Sequence, residues 1–159
     1  MTNNHICAGI GSSGSIIIIE GLGSESIPFE AKVVKTDSSK DLCLLESDLV
    51  APPMTIKNSC KTGEEVTVIG NPNGVFPIIL DMYISQEKID RMMIPFAELD
   101  PDGRITMLSG KVVSGHSGSP VISSDGSVCG IVFAAAIEYG GFAMSGGEIE
   151  RFISSYSGL

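Results

Sequence analysis

Short runs of β-branched and aliphatic residues, each closed within a few positions by Gly, Pro, Asp or Ser, recur along almost the whole chain. Ser15 to Glu20, Glu30 to Lys35, Asp41 to Glu46, Glu65 to Gly70, Phe76 to Ser85, Met92 to Phe96 and Arg104 to Leu108 read as strands, followed by Pro120 to Ser123, Val128 to Ala136 and Gly141 to Met144. Runs of that length leave no room for long helices, and about ten of them suit a sandwich or barrel. Asp100-Pro101-Asp102-Gly103 and Ser124-Asp125-Gly126 place Gly after Asp, where a hairpin needs a positive φ. Helical periodicity appears only at the end: Ile149, Phe152 and Ile153 share a face over residues 146 to 155, behind the capping-box spacing of Ser145 and Glu148. Ala51-Pro52-Pro53-Met54 lacks amide donors at two positions and suits a crossing between two β-halves, so a first unit over 1–55, a second over 56–145 and a closing helix over 146–155 are expected within one domain.

A length of 159 residues gives one domain enough chain to build a core, and 43% hydrophobic residues against 18% charged exclude a disordered chain. The net charge of −9 repels phosphate backbones, which excludes nucleic acid as a partner. No apolar run approaches the roughly 20 residues of a membrane span, and residues 1 to 14 lack the pattern of a signal peptide, so the default expectation is a cytoplasmic chain with no membrane association. Cys7, Cys43, Cys60 and Cys129 lie far apart with no C-x-x-C pair, which removes the common zinc spacing and reads as buried thiols, Cys43 as a packing residue within Leu42 to Leu45.

The most chemically suggestive segment is Ser114-Gly115-His116-Ser117-Gly118-Ser119-Pro120. A serine between glycines can stand on a tight turn with bare backbone amides beside it, and those of Gly115 and Ser117 can converge on an oxyanion. The same residues equally suit a plain loop between strands. A serine needs a base, and the chain has two histidines, His5 and His116. Because His116 adjoins Ser117, the two side chains should diverge, which leaves His5. A carboxylate must then orient that imidazole. Asp41, opening the strand Leu42 to Leu45, is preferred to Asp37, which lies within a turn.

The order His5, Asp41, Ser117 is that of the chymotrypsin arrangement. Taken together, Thr2-Asn3-Asn4-His5, Asp37 to Leu45, Gly63 to Pro72, Gly115 to Pro120 and Gly141 to Met144 resemble the motifs of trypsin-like serine proteases, and most closely those of the HtrA-like branch. The resemblance implies an all-β fold of two antiparallel β-barrels of chymotrypsin/trypsin-like type, the first incomplete, with a C-terminal helix. It implies a serine endopeptidase acting on protein or peptide substrates without a cofactor or metal, with His5, Asp41 and Ser117 as a triad and the amides of Gly115 and Ser117 as the oxyanion hole. It also implies that Phe133, Ala134, Ala135, Gly140 and Gly141 line the primary specificity pocket with Lys111 near its base. Departures are His116 before the nucleophile, Ser119 in place of a glycine after it, and a histidine placed ahead of strands that the family puts before it, which marks Met1 as a candidate internal start. An inactive module that binds peptides or partner proteins in the same cleft is the alternative reading.

Overall fold

The computed structural model describes residues 1–10, 15–20, 27–72, 76–90, 94, 103–136 and 140–156. Nine strands and two helices lie among them. A short helix α1 (Asn4–Cys7) is followed by β1 (Ser15–Glu20), β2 (Ile27–Asp37) and β3 (Leu42–Ser47), an antiparallel sheet in the order β1-β2-β3. Then β4 (Glu65–Gly70), β5 (Ile78–Ile89), β6 (Ile105–Ser109), β7 (Pro120–Ser123), β8 (Val128–Ala136) and β9 (Gly140–Ser145) close into a barrel in the order β4-β5-β6-β9-β8-β7. Helix α2 (Gly146–Ser154) packs on β8, β9 and β3. The all-β architecture with a terminal helix thus stands, with one closed barrel and, among the described residues, a three-stranded sheet where the first barrel was expected. The expected strand Met92 to Phe96, apart from buried Ile94, and the turn at Asp100 to Asp102 fall outside the described residues.

Alternation explains the barrel wall. In β4 the side chains of Val66 and Val68 point inward, and in β5 those of Met82 and Ile84 meet them. Register follows from that pattern, because a one-residue slip would turn every one of these side chains outward. The barrel interior also takes Leu108, Val112, Val121, Val132 and Ala143. A second core lies beneath α2, where Leu42 of β3 joins Ile131, Phe133, Phe142, Met144, Ile149 and Phe152. Leu42 therefore ties the small sheet to the barrel. Lys35 reinforces this junction from β2: its Nζ donates to the carbonyl of Phe152 at 2.8 Å and lies 4.6 Å above that ring.

Two sequence expectations change here. The cysteines are not thiols: Cys7 pairs with Cys43 and Cys60 with Cys129, with Cα separations of 6.6 and 5.6 Å. The partners stand 36 and 69 residues apart, so only the folded topology brings them together. The capping box is absent too. Ser145 is the N-cap of α2 but its hydroxyl makes no capping bond, and the Glu148 carboxylate turns instead to the Arg104 amide and the Arg151 guanidinium. The linker takes over part of the capping role, since Asn58 carbonyl accepts from the Gly147 amide at 2.8 Å. That approach requires glycine: a Cβ on Gly146 would sit 1.9 Å from the Lys57 carbonyl oxygen.

Candidate active site

The loop before β7 is built from two consecutive four-residue turns. His116 donates its backbone N–H to the Val113 carbonyl, and Ser119 donates to the His116 carbonyl, at 3.2 and 3.0 Å. In each turn the third residue has a positive φ, +96° at Gly115 and +84° at Gly118, as glycine permits. Gly118 then donates to the Val132 carbonyl and Val132 donates back to Ser119, so β8 pins the loop from below. Ser117 is left part-exposed at the crest. Among the described residues the backbone N–H groups of Gly115 and Ser117 have no protein acceptor, so both remain free for an external oxyanion.

His5 sits within α1, a four-residue helix whose position is set by links to β3 rather than by helical propensity. Thr2 and Cys43 exchange two backbone hydrogen bonds of 2.9 and 2.8 Å, Asn3 Nδ2 donates to the Asp41 carbonyl at 3.1 Å, and the Cys7–Cys43 disulfide closes the far end. Asp41 adopts φ +51° at the end of the turn after β2, a left-handed conformation that Asp tolerates better than most side chains. Its carboxylate then faces His5 twice. Oδ1 accepts the His5 backbone N–H at 2.8 Å, and Oδ2 lies 2.7 Å from His5 Nδ1. A carboxylate only accepts, so Nδ1 carries the proton toward it and a neutral ring presents Nε2 as an acceptor. Asp41 is 14% exposed and His5 49%.

Asp37 is engaged differently. Its Oδ1 accepts from the Ser39 hydroxyl and from the Ser39 and Lys40 amides. Burial pushes this carboxyl up, but those hydrogen bonds and nearby Lys40 hold it below the ordinary carboxylate value. The His116 ring is 1% exposed and packs beneath Gly70, with Nδ1 3.0 Å from the Val113 carbonyl. Thr2 and Ile6, on either side of His5, both reach Gly118: a Cβ there would lie 2.4 Å from Thr2 Oγ1 and 3.7 Å from Ile6 Cδ1. The segment bearing His5 therefore abuts the loop bearing Ser117. A cavity of about 400 Å³ lies between α1 and β2 and is lined by none of His5, Asp41 and Ser117.

The expected pocket residues divide. The Phe133 ring stacks on Phe142 in the core, with centroids 6.3 Å apart, while Ala134 is half-buried and Ala135 exposed along β8. Gly140 and Gly141 are buried, and Val112 fills the space over Gly141 that a Cβ would need. Lys111 is exposed.

The profile of the trypsin-like peptidase domain matches residues 1–131. The chain belongs to that family. Serine protease Rv3671c of Mycobacterium tuberculosis is 34% identical over 156 residues, covering 94% of this chain and 37% of the relative. This trypsin-like chain thus spans little more than a third of that relative's length. Among solved structures, the inactive form of the Rv3671c protease superposes with a TM-score of 0.78 at 28% identity, covering 98% of this chain and 78% of the other. The HtrA-type protease AlgW with a tripeptide gives a TM-score of 0.78 at 26% identity, covering 97% and 50%. These neighbours make the trypsin-like fold of this chain HtrA-like.

Proposed function

We propose that this chain is a serine endopeptidase that cleaves peptide bonds through an acyl-enzyme, with Ser117 as nucleophile, His5 as general base and Asp41 as the carboxylate that orients it. The observation that carries this reading is the double hydrogen bond from His5 to the Asp41 carboxylate, on a segment packed against the serine loop. Ser117 Oγ attacks the scissile carbonyl while His5 Nε2 takes its proton. The carbonyl oxygen, now negative, accepts from the amides of Gly115 and Ser117, donors whose single losses typically cost about 3 kcal/mol of transition-state stabilisation. Collapse of the tetrahedral species breaks the C–N bond, and His5 returns the proton to the leaving amine. Water, deprotonated by His5, then hydrolyses the ester on Ser117.

The tripeptide present with AlgW supports a peptide substrate here. In the specificity pocket, the alanines of β8 favour a small aliphatic side chain, with Lys111 carrying its charge to water. Two disulfides favour an oxidising compartment over the cytoplasmic default. Incubation of the whole chain with an unstructured protein and mass spectrometry of the products tests the activity. Cleavage lost in both Ser117→Ala and His5→Ala supports it, and cleavage that persists in Ser117→Ala refutes it. The changed serine loop, with a buried His116 before Ser117 and a buried Ser119 two positions after it, favours a second reading, a peptide-binding module, which predicts peptide capture without turnover.

A further inference from the structure

Beside Ser117 opens a cleft of about 320 Å³, bounded by Thr2, Ile69, Asn71, Pro77, Gly115 and Ser117 among others, and none of Phe133 to Ala136 lines it. It is therefore separate from the pocket expected along β8. Thr2 fixes which half of a substrate it would hold. It lies three residues before His5, and the base that takes the serine proton must deliver it to the departing amine, so the leaving group belongs on the side where the His5 segment meets the loop. Ile69 and Pro77 of the lining, with Ile79 and Phe76 beyond it, fix the kind of side chain. At the end of the β4–β5 hairpin, Ile69 faces Ile79 across the strands, and Ile69, Ile79 and Phe76 are 40%, 66% and 68% exposed. Val68 and Leu80, one step along, point to the opposite face, so the outward apolar pair is a consequence of register. Among the described residues no charged side chain lines the cleft, although the chain carries a net charge of −9.

We propose that this cleft is the subsite for the residues immediately after the scissile bond and that it selects an apolar side chain there, through Ile69 and Pro77. The proposal rests on the serine-endopeptidase reading. Its occupant is the leaving half of a peptide, because Ser117 and Gly115 themselves line the cleft together with Thr2 of the His5 segment. The whole chain is given internally quenched peptides that share the sequence before the cleaved bond and carry Leu, Gly or Asp at the two positions after it. Leu exceeds Gly in kcat/KM by about tenfold or more, the discrimination that an apolar pocket makes over missing methylenes. Asp falls below Gly. In Ile69→Ser the Leu-to-Gly ratio drops to about threefold or less, and Ile69→Leu restores it. Fluorophosphonate labelling of the same preparation separates the two claims. No labelling overturns the hydrolase reading and the subsite with it. Labelling with equal rates across the series, a preference for Asp, or a concentration-dependent dimer lost in Ile69→Ser with selectivity unchanged overturns the subsite alone.

Discussion

Asp41→Asn removes one charge and almost nothing else, which makes its consequence calculable. Asparagine adopts φ near +50° at least as readily as aspartate, so the turn into β3 keeps its backbone. One side-chain oxygen remains to accept the His5 backbone N–H, now held at 2.8 Å by Oδ1. The other position becomes an NH₂, a donor, opposite Nδ1 at 2.7 Å. Two donors cannot share that line, so the imidazole proton moves to Nε2, and the nitrogen that should receive the Ser117 proton is already occupied. On this argument kcat falls by about 10³ to 10⁴, the scale seen when a triad loses its tautomer, or about 4 to 5.5 kcal/mol of barrier. Stability changes by only about 1 kcal/mol, since one neutral hydrogen bond replaces a charge-assisted one at the rim. Peptide cleavage measured alongside a thermal melt separates the two effects. A folded Asp41→Asn enzyme within tenfold of the wild-type kcat would refute the tautomer reasoning.

Removal of the Cys7–Cys43 bridge by Cys7→Ala with Cys43→Ala frees a 36-residue closure, which in the chain-entropy account costs about 4 kcal/mol, and urea unfolding should shift down by about 2 M for a slope near 2 kcal/mol per M. An unchanged midpoint would mean that the bridge does not hold the N-terminal segment in solution. Acid stability depends on carboxylates held low in the fold: the Ser123 hydroxyl and then the Ser127 amide hold Asp125 at about 2, and the Lys57 ammonium lowers Glu64. Their folded values lie below the unfolded ones, so their contribution is complete above about pH 5 and lost as pH falls toward 2. Thermal melts of Asp125→Asn should accordingly show a smaller loss between pH 5 and 2 than the parent.

The strands Ser15–Glu20, Glu65–Gly70, Pro120–Ser123 and Val128–Ala136 were legible to the residue because their patterns are short, apolar and bounded by turn formers. Strand β5 runs on to Ile89, past the expected end at Ser85, since two irregularities in its pairing with β6 break the simple alternation. Local pattern carries no information about α1, whose four residues are held by contacts 36 and more positions away. For the same reason the disulfides could not be read. Chain order and family resemblance point to the meeting of His5 with Asp41, and no local signal distinguishes His5 from a tail residue. Asp37 against Asp41 was decided by turn chemistry, and the structure gives the turn its own use for Asp37, as acceptor for Ser39 and Lys40. The apolar cleft at Ile69 had no sequence signature, because an outward isoleucine is recognised only once its face is known.

The most direct test of the central claim is the rate at which a fluorophosphonate modifies the intact chain, with the adduct mapped by peptide mass spectrometry. One adduct per chain on Ser117, formed at least 10² times faster than in His5→Ala, is the expected result for a hydroxyl activated by a general base. Modification spread over several serines, or equal rates with and without the imidazole, would contradict it.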